Sequence, residues 1–215
     1  MASFPRSPRL RKGAIVSFDM PSLIPQVIVF QYNPDSLART LKPKTPQSSG
    51  GKAEPFRLEG APEEKIDLEI EFDATDQLEH PEQNQTTTTK GIGPQLAALE
   101  IILYPKVSKI VANAVLAQFG TIEMVPPEGP FTLFVWGPSR VLPVQLTSFQ
   151  VTEEAYDTEL NPTRAKVALS LKVLSYSDLQ PSHIGYALYA ANHIGKEMMA
   201  AEGSVNNLSS IGSVF

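Results

Sequence analysis

Asp178, Ser182 and His183 are the residue types of a serine-hydrolase triad, and they sit close together in the chain. A working triad brings its groups together from separate segments, so neighbours at the start of one helix cannot take the three roles. Glu153, Glu154, Asp157 and Glu159 offer carboxylates of the kind that act in pairs in glycoside hydrolysis. Consecutive strand residues project to opposite sides, so Glu153 and Glu154 cannot form such a pair. They read instead as a solvated hairpin end, with Arg164 near enough in sequence to pair across the turn. His80, His183 and His193 lack the three- or four-residue spacing that places metal ligands on one helix face. Asp67, Glu69, Glu71 and Asp73 alternate along a strand without the geometry of a calcium loop. Trp136, Tyr156, Tyr186 and Tyr189 have the makings of a sugar-stacking platform, but such side chains more often serve a core or an interface. Gly91-Ile92-Gly93 runs into Pro94, which spoils a dinucleotide fingerprint, and no Gly-x-Ser-x-Gly elbow occurs. No catalytic, cofactor-binding or metal-binding set emerges, so the reading is of a protein that is not an enzyme.

Composition narrows the class further. The chain has 215 residues, 42% of them hydrophobic, which suits one sizeable domain, or two small ones packed together, with enough apolar material for a core. Nineteen prolines argue against a helical bundle. There is no cysteine, which removes disulfides, thiolate zinc sites and cysteine nucleophiles and fits a reducing compartment. Net charge is -5, the wrong sign for a general nucleic-acid binder. Arg6, Arg9, Arg11 and Lys12 cluster near the start, but the apolar stretch behind them is short and ends at Asp19, unlike a secretory leader. No apolar run is long enough to insert into a membrane.

The elements that would carry these residues are mostly strands. Residues 1–12 read as a flexible arm, followed by strands at 13–19 and 26–32 and a long Pro/Gly/Ser loop over 42–62. The arm and loop are locally basic and read equally as solvated linkers or as segments that order against an acidic partner such as the 67–73 face of a neighbouring subunit. Residues 65–73 alternate strictly between charged and apolar, the period of a strand with one buried face. A helical insertion falls within 76–119: residues 81–91 form a polar connector, and 94–119 read as helix divided by Pro105 and packed on the sheet. Strands follow at 131–136, 140–154 and 164–175, with a bulge expected near Ser148 where the apolar phase slips by one. A last helix is expected from Pro181 to about Ala200, then a mobile tail over 203–215. The domain proper therefore spans 13–202. The order predicts an α+β fold with a mainly antiparallel barrel or sandwich, flanking helices and a C-terminal helix.

Three stretches together resemble a known family. They are Val29-Phe30-Gln31-Tyr32-Asn33-Pro34-Asp35-Ser36-Leu37, the alternating Ile66 to Ala74, and Pro143 to Asp157 running on through Leu160-Asn161-Pro162-Thr163-Arg164-Ala165 into Val167 to Leu174. They are similar to the tube-type domain of contractile injection systems, the phage-tail-like particles of bacteria and archaea. The similarity points most closely to the baseplate hub that joins the inner tube to the spike. The resemblance implies a barrel or sandwich assembled as a hexameric ring around a channel. The implied partners are the spike, inner-tube and baseplate wedge proteins, with no cofactor. It implies assembly in the bacterial cytoplasm and a place in a particle that is released or membrane-associated. An inner-tube or tube-cap subunit shares that fold, and a hydrolase is the rival from another class. Many relatives continue into a LysM-type peptidoglycan-binding module; this sequence ends at Phe215 after a short Gly/Ser/Asn stretch, so wall contact is expected from another subunit. Tyr156, Asp157, Arg164, Glu153 and Glu154 at the long hairpin's end are the expected interface residues, with Arg164 pairing Asp157 or an acid across the ring.

Overall fold

A computed structural model describes residues 10–19, 24–45, 57–118 and 129–211. Strands β1 (Ala14–Phe18), β2 (Pro25–Val29), β3 (Leu37–Lys42) and β4 (Glu63–Asp73) come first. A helical insertion follows, made of α1 (Thr75–Leu78), α2 (Gln85–Lys90), α3 (Gly93–Glu100), a 3₁₀ turn (Ile101–Leu103) and α4 (Val107–Gln118). Strands β5 (Phe131–Val135), β6 (Val141–Tyr156) and β7 (Pro162–Val173) complete the sheet, and α5 (Ile184–Ile211) ends the described chain. The sheet has seven strands in the order β2-β1-β5-β6-β7-β4-β3, and every neighbouring pair is antiparallel. This is the α+β, antiparallel architecture expected from the sequence. β2 and β3 remain edges, so the ladder does not close into a barrel.

Alternation explains the core. On β4, Ile66, Leu68, Ile70 and Phe72 face inward, matched on β7 by Ala165, Val167, Leu169, Leu171 and Val173. Ile15, Ile28, Phe30, Phe134, Leu142 and Val144 fill the other wing of the same core. The expected bulge is present, as a register shift between Leu146 and Ser148, and a second lies between Glu153 and Ala155. The two wings meet at Gln31. Its side-chain amide donates to the Asp73 carbonyl at 2.6 Å and its oxygen accepts the Asp73 N–H at 3.0 Å, as a strand's peptide group would.

Several boundaries differ from the sequence reading. Leu37–Lys42 is an edge strand whose apolar and polar residues mix; the central part of the expected loop, 46–56, lies outside the described residues. Most of the expected N-terminal arm, 1–9, lies outside them too. The polar connector contains the helix Gln85–Lys90. The last helix runs through Gly203 to Ile211, so 203–211 is helix rather than tail. Pro105 divides the insertion helix as expected. Only the first part then packs: Leu96, Leu99 and Ile102 are buried, while Val107, Ile110, Val111, Val115 and Leu116 of α4 are exposed.

Candidate functional site

The β6–β7 hairpin is the longest ladder in the sheet and carries the expected interface residues at its end. Asp157 builds the turn. Its Oδ1 accepts the backbone N–H groups of Glu159 and Asn161, both at 2.8 Å, and its Oδ2 accepts the Asn161 side-chain amide at 2.8 Å. Those donors, Asn161's side chain first, hold the Asp157 carboxyl below the usual carboxylate range. Leu160 takes a positive φ of 65° to finish the turn. Asp157 is therefore occupied locally.

Arg164 does not pair with Asp157. It binds Asp73 on β4, with Nη2 at 2.7 Å and Nε at 2.8 Å from Oδ2. The register explains the choice, because Arg164 stands directly opposite Asp73 across the β4–β7 ladder. Glu154 meets Lys166 at 3.0 Å. Glu153 accepts from the Tyr156 hydroxyl, which raises the tyrosine's pKa. Once these pairs are drawn, Tyr156 (52% exposed) and Leu160 (79% exposed) are the large side chains left open at the hairpin end.

The acidic face of β4 is partly neutralised in the same way. Asp67 accepts from Ser170 Oγ at 2.5 Å and meets Lys65 Nζ at 2.9 Å, which lowers its pKa. Glu71 stands opposite Lys166. No group of three or more His, Cys, Asp or Glu side chains suited to a metal ion occurs among the described residues.

The triad types are dispersed. Asp178 accepts the Ser175 N–H and hydroxyl at 2.9 and 2.7 Å. His183 Nδ1 accepts the Gly185 N–H at 3.0 Å, and its ring stands edge-on to Phe131. A concavity of about 580 Å³ opens beside them, lined by Ile102, Phe131, Leu174, Leu179, Asp178 and His183. Its two titratable groups are already committed to the turns they cap. The aromatic residues do not form one platform. Trp136 stacks on Phe134, while Tyr186, Tyr189 and His193 surround Tyr176. His80 lies exposed at the end of α1, away from the other histidines' surroundings.

Glu64 was missed, although β4's alternation places it in phase with Ile66 and Leu68. It is 2% exposed and held by two cations: Arg39 Nη2 at 2.6 Å and Lys196 Nζ at 3.2 Å. Edge strand β3 and helix α5 are thus fastened to β4 through one carboxylate.

The polar side chains described above bind neighbouring strands, helices and turns, and large apolar side chains are exposed at the hairpin end and along α4. The sequence matches the family described as contractile injection system tube protein over residues 10–180, and the chain belongs to that family. None of the curated proteins matches it. The family implies assembly with other components of a contractile injection system and a place in a tail-like particle. No described helix is long and apolar enough to cross a membrane.

Proposed function

We propose that the chain is a non-catalytic baseplate component, forming a hexameric ring that joins the inner tube to the central spike. The observation that carries this reading is the material added to the strand scaffold. The insertion Thr75–Gln118 and the 28-residue helix α5 project apolar surface that a uniform stack of identical rings would have to bury at every layer. A specialised layer meeting different proteins above and below has a use for such projections. The spike, inner-tube and wedge proteins are the proposed partners, and particle assembly begins in the bacterial cytoplasm. The family description favours a second reading, an ordinary tube or tube-terminating subunit. Copy number separates them. Quantitative mass spectrometry of purified particles is expected to show one ring's worth of this chain against many of the tube protein; a tube-like abundance overturns the hub reading.

Edge strands β2 and β3 supply unpaired backbone groups for neighbouring subunits. The hairpin end supplies an anchor in Tyr156, with Glu153 and Glu154 beside it and Asp157 and Arg164 fixing its position. Tyr156→Ala is expected to reduce particle yield severely while the isolated chain melts at the parent temperature. Wild-type yield would remove the hairpin end from the interface. Arg164 is unsuited to this test, because its removal also breaks the β4–β7 pair.

A further inference from the structure

We infer that the projecting half of α5 is an arm that packs on α4 of a second copy of this chain, head to tail. α5 is fastened to the body as far as Lys196. Asn192 donates to the Ser139 carbonyl at 3.1 Å, and Lys196 meets Glu64 at 3.2 Å. From Glu197 onward every described side chain is exposed. The helix continues to Ile211, about 22 Å further at about 1.5 Å per residue. Ile194, Met198 and Ala201 are exposed at four- and three-residue spacing. Such a narrow apolar seam is the pattern of a helix that meets another helix.

α4 is the complement. Val107 is 71% exposed, and Ile110, Val111, Val115 and Leu116 are all about half exposed or more. A helix apolar around so much of its girth needs protein or lipid over it. Twelve residues reach only about 18 Å, short of the ~30 Å hydrocarbon layer, so protein is the fitting cover.

Charge selects the pairing. Between Pro105 and Gln118 the charged residues are Lys106, which pairs with Asp19, and Lys109, both basic. Between Glu197 and Ile211 they are Glu197 and Glu202, both acidic. The two elements sit at different places on the sheet. The arm leaves the body beside β3, where Arg39 shares Glu64 with Lys196. α4 is tethered beside β1 by the Lys106–Asp19 ion pair. β3 and the β2–β1 pair are at opposite ends of the strand order. An arm seated on the α4 of a second copy is a heterologous contact, of the kind that propagates around a ring. This contact stands whether the ring is a hub or a tube end.

The absence of cysteine makes a cross-linking test selective. Full-length Val111→Cys and Met198→Cys chains are oxidised separately and as a mixture. The mixture is expected to give about fivefold more covalent dimer than either chain alone, the ratio set by ~1 kcal/mol of preference. Predominant dimers of Met198→Cys alone would show arm-to-arm pairing, and an internal disulfide in the doubly substituted chain would place the arm on its own α4. Either result overturns the proposal, as does the absence of any cross-link from chains that melt like the parent. If a cysteine loosens the fold, charge reversal decides: Lys109→Glu and Glu202→Lys are each expected to weaken self-association about threefold and to restore it together. Failure of the pair to restore association overturns the proposal.

Discussion

At the scale of single residues, Glu64 governs more structure than any group at the hairpin end. A carboxylate withdrawn from water is tolerated when cations and hydrogen bonds replace its hydration. Arg39 does this from β3, already paired with β4 along its ladder, and Lys196 from helix α5. Removing one cation leaves the buried charge undercompensated. Arg39→Met is therefore expected to cost about 2 kcal/mol in chemical denaturation at neutral pH, less than a fully buried pair because the arginine retains contact with solvent. Adding Glu64→Leu to that variant is expected to recover most of the loss, since the stranded carboxylate is gone. A double variant as unstable as the single one would show that packing, rather than charge, holds β3. Carried back one step from Ile66, the alternation of the strand places this residue inward, but the sequence reading began at Lys65. Its partners were not legible, because Arg39 and Lys196 lie 25 and 132 positions away. The same distance hid the Arg164–Asp73 pair, whose partners are 91 residues apart.

Among the elements, the strands with clean alternation and the Pro105 break were readable because each is a local pattern. β3 was not, since Leu-Ala-Arg-Thr-Leu-Lys mixes polarity on an edge where one side meets solvent. α2 was hidden by four consecutive threonines, whose helix preference is poor; the hydroxyls of Thr88 and Thr89 bond back to the preceding turn, and that of Thr87 reaches Gln77. Gly203 suggested an end to α5 that the helix passes through. Gly91 was visible as a glycine, though not its role. It ends α2 at φ 55° and ψ -136°, where the insertion turns against β7. A Cβ there would lie 2.0 Å from the Pro162 carbonyl oxygen, the same oxygen that accepts the Ile92 N–H at 2.8 Å. Gly91→Ala is expected to destabilise the fold by about 3 kcal/mol, from backbone strain together with the displaced contact. Thermal unfolding checks this, and a variant that melts with the parent would mean the insertion is not seated on Pro162.

Across the whole molecule, ionised carboxylates tie separate strands and turns. Asp67 is lowered by the Ser170 hydroxyl and then by Lys65; Asp157 is lowered by Asn161. At Asp73 and Asp178, burial pushes the pKa up, but hydrogen bonds from Thr75 and Arg164, and from Ser175, outweigh it. All four carboxyls are thus depressed on folding. Their stabilisation is complete above the unfolded value near pH 4 and is lost as pH falls through the folded values. The melting temperature is expected to stay level from about pH 8 to 5 and to drop below about pH 4; a level profile down to about pH 3 would contradict this linkage. The Gln31 amide has a consequence of another kind. Six antiparallel ladders resist separation residue by residue, whereas the polar tie between the two wings at Gln31 and Asp73, over their shared core, is one side chain holding one peptide unit. Two hydrogen bonds of roughly 1 kcal/mol each yield long before a ladder does. Gln31→Ala is therefore expected to leave the ladders paired and the shared core packed while freeing the Asp73 peptide unit, seen as faster hydrogen exchange of the Asp73 amide; unchanged exchange would mean that the core alone holds the two wings together.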